Sequence, residues 1–202
     1  MNTLLRLLPL WIATGLTCHA QSLPTSPEAK QINNPPAGFT WQELPEIRGR
    51  CLKPVGWHFT KGKTLREGWS AYFITKDKLI GHGEQLTGLT IVPRQNIYAR
   101  HGQTPSLYAK QLSAEAAKNF GLLTSFSLPA DKKANQGFAL EGFVYRYKAP
   151  DGSARIIQTV CFSFDPSDLF YLTTFEAPES DGKEAARTAE LLQKTLQLQT
   201  DL

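Results

Sequence analysis

Three of the four histidines lie beyond residue 20, and they are the side chains best suited to bind a metal ion or transfer a proton. They are His58, His82 and His101. No two of them are three or four residues apart, the spacing that places two side chains on one face of a helix. The sequence therefore gives no evidence that they converge on a metal ion, and we predict neither a metal site nor a cofactor.

The short motifs of common enzyme classes do not occur after residue 20. There is no Gly-x-Ser-x-Gly, His-Glu-x-x-His, Cys-x-x-Cys or Gly-x-Gly-x-x-Gly sequence. Gly62-Lys63-Thr64 resembles the end of a phosphate-binding loop, but five residues separate Gly56 from Gly62 where that loop has four. We therefore predict no catalytic residues. A hydrolase or metal-dependent enzyme whose site is assembled from distant residues remains the alternative.

Positive charge is concentrated before a predicted helix start. Arg94, Arg100 and His101 surround Tyr98, and Thr104-Pro105 follows as a helix N-terminus. Because the N–H groups and the dipole of a helix start add to this charge, the loop could bind an anion or a partner. The alternative is a solvated connector whose arginines pair with surface carboxylates.

The first twenty residues are typical of a secretory signal. They contain one charge, Arg6, then an uncharged stretch over residues 7–17, and they end in Cys18-His19-Ala20. The stretch is shorter than the roughly 20 apolar residues that span a bilayer. We predict cleavage after Ala20 and a periplasmic or secreted protein. Lipid attachment at Cys18 is the alternative, although Thr17 stands where lipoprotein signals usually have Gly or Ala.

The two cysteines that remain after cleavage are Cys51 and Cys161. Disulfides persist in the compartments that a secreted chain reaches, so we predict a bond between these two residues. The alternative is a pair of separate buried thiols, which behave as small apolar groups.

Length and charge limit the range of partners. Residues 21–202 are enough for one domain, and they carry 21 basic against 18 acidic residues with no run of five like charges. Composition therefore does not support nucleic-acid binding. Residues 21–38 contain four prolines among polar residues and are predicted to be a flexible linker, followed by a single domain over residues 39–202.

The periodicity of the chain predicts both helices and strands. A helix is predicted from Pro105 to Phe120, where Gly121 stops it, and a second over residues 182–198. Residues 69–75 and 86–92 are predicted strands, the latter closed by Pro93. Three further strands joined by short turns, at residues 138–148, 153–164 and 169–175, predict an antiparallel meander that the helices cover.

The order of these elements resembles that of the Mog1/PsbP-like superfamily. The resemblance rests on Pro54-Val55-Gly56-Trp57, the Thr-Gly-Leu-Thr-Ile strand at residues 87–91, Tyr145-Arg146-Tyr147, residues 169–173 and the terminal helix. It implies an α+β fold, an α/β/α sandwich around a mostly antiparallel sheet in a single domain. It also implies an accessory or binding role, so we expect an extracytoplasmic, non-enzymatic protein. Its partner would be a protein or an envelope surface, with no transmembrane helix in the mature chain.

Overall fold

The structure is a computed structural model, and it describes residues 34–63, 70–78, 87–149 and 151–200. The predicted signal with Cys18, residues 21–33 of the predicted linker, and His82 lie outside the described residues. Among the described residues, no helix is long and apolar enough to cross a membrane.

The described elements are nine strands and three helices, with short 3₁₀ turns between some of them. In chain order they are β1 (Phe39–Leu44), β2 (Gly49–Pro54), β3 (His58–Lys63), β4 (Ser70–Thr75), β5 (Gly88–Gln95), α1 (Ile97–His101), α2 (Pro105–Phe120), β6 (Leu122–Leu128), β7 (Ala139–Lys148), β8 (Ala154–Phe164), β9 (Leu169–Pro178) and α3 (Gly182–Lys194).

Seven of the strands form one sheet in the order β3-β4-β5-β9-β8-β7-β6, and every neighbouring pair is antiparallel. The predicted meander is confirmed as β7, β8 and β9. The hairpin of β1 and β2 forms a separate two-stranded sheet. With helices on both sides of the large sheet, the protein is a single-domain α+β sandwich, as predicted.

Side chains alternate along a strand, so the large sheet has two faces, and different elements cover each of them. One face packs against the β1–β2 hairpin and α3, for example through Leu52 and Leu192, and we call it the hairpin face. The other packs against α1 and α2 through Ile97 and Tyr108, and we call it the α2 face. Apolar side chains on both faces of the large sheet are therefore buried.

The strand predicted to close at Pro93 continues to Gln95. Proline lacks the N–H that a central strand needs, but β4 pairs with β5 only from Gly88 to Ile91. At Pro93 the strand is therefore bonded on one side alone, to Tyr171 of β9. The missing donor costs no hydrogen bond at that position.

Helix α2 has the predicted bounds, and α3 ends four residues earlier than predicted. Beyond Lys194, Gln197 pairs with Arg50 of β2 through two backbone hydrogen bonds of 2.8 and 3.0 Å. The side chain of Arg50 also donates to the Gln197 side chain at 2.8 Å. Because this segment is held extended against the hairpin, the helix cannot run to Leu198.

The structure does not contain the predicted disulfide. Among the described residues Cys51 and Cys161 are both buried free thiols. Cys51 packs on the hairpin face, whereas Cys161 lies on the α2 face, between Val160 and Phe162 that point the other way. A disulfide joins Cα atoms at most about 7 Å apart, and packed layers are about 10 Å apart, so the sheet itself separates the two thiols.

Candidate functional site

Arg94 is buried on the α2 face of β5, directly opposite Phe170 of β9. Its Nη1 donates to the hydroxyl oxygen of Tyr108 at 2.6 Å, and its guanidinium lies 5.8 Å from the centre of the same ring. The arginine predicted as part of a surface loop is therefore buried in β5, where it binds a side chain of α2.

The other two predicted residues lie on α1 and are exposed. The ring of His101 stacks on Tyr108 with a centroid distance of 4.5 Å, and Tyr108 in turn meets the edge of Phe170 at 5.2 Å. Tyr108 thus contacts both residues, Arg94 through its hydroxyl and His101 through its ring. Arg100 is on the outer surface of the same short helix. The charge pattern that singled out Arg94, Arg100 and His101 gave no sign that Tyr108 contacts two of them.

Aspartates from the β8–β9 turn cap both helix starts. Asp168 accepts the N–H of Tyr98 at 3.0 and 3.1 Å, one distance for each carboxylate oxygen. Asp165 accepts the backbone N–H of Ser106 at 2.8 Å and its hydroxyl at 2.6 Å. An anion at the start of α2 would therefore compete with a carboxylate of the protein itself.

Removing the Asp165 cap should reduce the stability of the protein modestly. We expect Asp165→Ala to lower the free energy of unfolding by about 1 kcal/mol, because a helix donor and a hydroxyl lose their acceptor. Asp181→Ala is the matched control, since Asp181 precedes α3 without a side-chain cap. Chemical denaturation of both variants checks this, and equal losses would argue against the capping role.

The hydroxyl of the buried Tyr108 should contribute measurably to the free energy of unfolding. We expect Tyr108→Phe to cost about 1.5 kcal/mol, since it removes an acceptor from a buried guanidinium. Tyr98→Phe, at an exposed ring, should change the free energy of unfolding by less than about 0.5 kcal/mol. A thermal or urea unfolding series compares the two, and a null effect at position 108 would contradict the contact.

Two exposed apolar side chains lie beside the capped helix starts. Tyr98 is 64% exposed and Leu107 is 54% exposed, and the same aspartate turn anchors the helices that carry them. With the exposed Arg100 and His101 they form what we call the α1–α2 surface. Sequence reasoning missed Leu107, because the helical period that places Tyr108 inward places its neighbour outward.

A second polar group lies on the α2 face of the sheet, near the far end of α2. Arg155 is buried and its Nε donates to Glu176, while its Nη2 has no hydrogen-bond partner among the residues that the structure describes. The ring of Tyr145, which is near Glu176, stacks on Phe120 with a centroid distance of 4.7 Å. Burial raises the pKa of Tyr145, and the nearby Glu176 charge raises it further. Arg155 and Glu176 are thus a partly buried ion pair close to Tyr145, and no sequence spacing predicted it.

No group of three or more His, Cys, Asp or Glu side chains in the described ranges is placed to hold a metal ion. Of the three histidines considered for such a site, His58 is on β3, an edge strand of the large sheet. His101 is on α1, which packs on the α2 face.

The chain matches no protein-family model and no curated protein. Among solved structures it is similar to cyanobacterial PsbP from Synechocystis sp. PCC 6803, at 11% identity and a TM-score of 0.51, over 83% of this chain and 96% of that one. A protein from Bacteroides thetaiotaomicron VPI-5482 is similar at 12% identity and a TM-score of 0.45, over 76% of this chain, which spans 46% of its length. The Ran-binding protein Mog1p of Saccharomyces cerevisiae is similar at 10% identity and a TM-score of 0.43, over 79% and 95%. The similarity to PsbP confirms the fold that the sequence resemblance implied, and at 11% identity it shows the fold alone.

Proposed function

We propose that this chain is an extracytoplasmic, non-enzymatic accessory protein that binds another protein through the α1–α2 surface. The observation that carries the proposal is the exposure of Tyr98 and Leu107 on helices that are fixed in place. Asp165 and Asp168 hold the two helix starts, and buried Arg94 holds Tyr108 beneath them. A surface that is already ordered loses little entropy when a partner binds.

The side chains on this surface indicate the chemistry of the partner. Tyrosine and arginine are enriched at protein interfaces, and an apolar centre with a charged rim is the usual arrangement. Here Tyr98 and Leu107 form the centre, with Arg100 and His101 beside them and the exposed Lys110 one turn further along α2. We therefore expect a protein partner that offers an apolar pocket bordered by carboxylates.

The location of the protein is proposed from its leader. The charge at Arg6, the short apolar stretch and the small residue at Ala20 support export to the periplasm or beyond, with lipid attachment at Cys18 as the alternative. Mass spectrometry of the native protein decides between them. A new N-terminus at Gln21 supports cleavage, and an acylated Cys18 supports anchoring.

Capture from the native envelope fraction tests the binding role. Wild-type protein and a Tyr98→Ala/Leu107→Ala double variant are compared with Val55→Ala, which truncates a similarly exposed apolar side chain elsewhere. We expect one protein to be retained by the wild type and the control and lost by the double variant. That protein is then purified and its affinity measured directly, where the double variant should bind at least about 30-fold more weakly.

The contribution of charge to partner binding is tested separately at Arg100. Arg100→Glu should slow association with the purified partner and reduce the dependence of binding on salt, because it removes a positive charge from the rim. Equal binding by all variants, or equal loss in Val55→Ala, would exclude the α1–α2 surface. Turnover of ester, peptide or phosphate substrates that depends on His101 would contradict the non-enzymatic role.

A further inference from the structure

The two edges of the large sheet differ in charge. At one edge β3 carries His58, Lys61 and Lys63 among its six residues. At the other edge β6 has the sequence Leu-Leu-Thr-Ser-Phe-Ser-Leu, with no charged residue and no proline. Natural proteins protect edge strands with lysine, proline or a covering element, because an open edge is a template for another strand. Within the described residues, β6 has no strand on its outer side.

Apolar side chains are exposed at the same edge. Leu123 at the start of β6 is 56% exposed, and Phe120, which ends α2 just before it, is 48% exposed. The strand is followed by Pro129 and Ala130, which are also exposed. The edge is therefore uncharged along its length and apolar at both ends.

We propose that β6 pairs antiparallel with β6 of a second copy of this chain, which joins the two large sheets edge to edge. In such a twofold arrangement the start of one strand lies beside the end of the other. Phe120 and Leu123 of one copy would then meet Leu128 and Pro129 of its partner copy. This contact would bury the exposed apolar side chains and would also pair the backbone N–H and C=O groups along the outer side of β6.

The absence of charge favours a second copy as the occupant. A twofold axis through a strand brings each of its central residues opposite or diagonal to the same residue of the other copy, so any charge would face its own sign. Ser125 and Ser127 are small, uncharged and exposed on the α2 face, and so they tolerate this arrangement. Three basic residues prevent it at β3. The irregularity in the β6–β7 pairing is confined to Leu122–Thr124, which leaves the rest of β6 regular.

Molecular mass in solution tests the proposal with the full chain as it is purified. By light scattering or sedimentation, the wild type should be a dimer at high concentration. Ser125→Lys should halve the mass, because two lysines would approach across the twofold axis. Thr60→Lys, the matched change in the middle of β3, should leave the dimer intact, and circular dichroism should show both variants folded.

Mixing charge variants distinguishes the second copy from any other occupant. Ser125→Glu alone should also be monomeric, whereas a mixture with Ser125→Lys should restore a dimer that contains one of each. A wild type that stays monomeric at every concentration overturns the proposal, as does a Ser125→Lys protein that remains dimeric or a dimer lost equally in Thr60→Lys. These results are independent of binding at the α1–α2 surface, whose residues are unchanged.

Discussion

Replacing Glu176 with glutamine is expected to lower the free energy of unfolding by about 3 kcal/mol. The change keeps the shape of the side chain and its acceptor oxygen but removes the charge that compensates Arg155. The side chain of Arg155 is only 6% exposed, so its guanidinium would be left as a buried charge without its carboxylate partner. Because Glu176 itself is 29% exposed, water reduces the loss to the lower end of the range for buried pairs.

A surface ion pair in the same protein provides the control. Arg146 pairs with Glu179, and the arginine side chain is 59% exposed, in contrast to the buried Arg155. Glu179→Gln should therefore cost about 0.5 kcal/mol. Adding Arg155→Met to Glu176→Gln should recover most of the loss, because the stranded charge is gone. Urea denaturation of the wild type and these three variants measures the series, and equal losses at positions 176 and 179 would show that Arg155 is not held by its partner.

The thiols of Cys51 and Cys161 should be nearly inert in the native protein. Burial raises the pKa of each to about 12 from an ordinary value of 9.0. At a given pH below 9 the reactive thiolate is therefore about a thousandfold scarcer than in the unfolded chain, and packing further limits access. Alkylation by iodoacetamide followed by mass spectrometry checks this in native buffer and in denaturant.

The same experiment tests the absence of the disulfide. Without any reductant, the unfolded protein should take up two alkyl groups at Cys51 and Cys161. Uptake of none would show that the two residues are bonded and that the layers are arranged differently. Since the folded state retains the thiol protons above the unfolded pKa, the free energy of unfolding should also fall as the pH rises from about 9 towards 12.

The parts of the fold that sequence predicted are those whose signals are local. Helix α2 has its N-cap at Thr104, a proline in its first turn and Gly121 after its last residue, and each acts through neighbouring backbone groups. The meander of β7, β8 and β9 followed from alternation and short turns. Alternation also placed Cys161 on the opposite face from Val160 and Phe162, so the sequence held part of the reason why the disulfide is absent.

The parts that it did not predict depend on contacts between distant segments. Nothing near Cys51 in the chain specifies that the β1–β2 hairpin packs on the same face as α3, and that placement separates the thiols. β6 has the alternating burial of a strand only because β7 pairs with it. The end of α3 depends on Gln197 meeting Arg50 from a different part of the chain.

In the candidate site, too, the sequence predicted what depends on local signals and not what depends on distant segments. The sequence identified Arg94, Arg100 and His101 by their charge and their position before a helix. It could not show that Asp165 and Asp168 cap the two helix starts, because they follow the residues they cap by 59 and 70 positions and lie in the β8–β9 turn. Nor could it show that Tyr108 joins Arg94 to His101. The surface that remains exposed, Tyr98 and Leu107, is therefore defined by the fold.

Site-specific photo-cross-linking in the living native organism tests the proposed binding role most directly. A photoreactive residue is placed at position 98 or, as the control, at the equally exposed position 55. We predict one discrete cross-linked species from position 98, containing a single envelope protein, and none from position 55. No adduct at position 98, or the same adducts at both positions, would contradict a partner that docks on the α1–α2 surface.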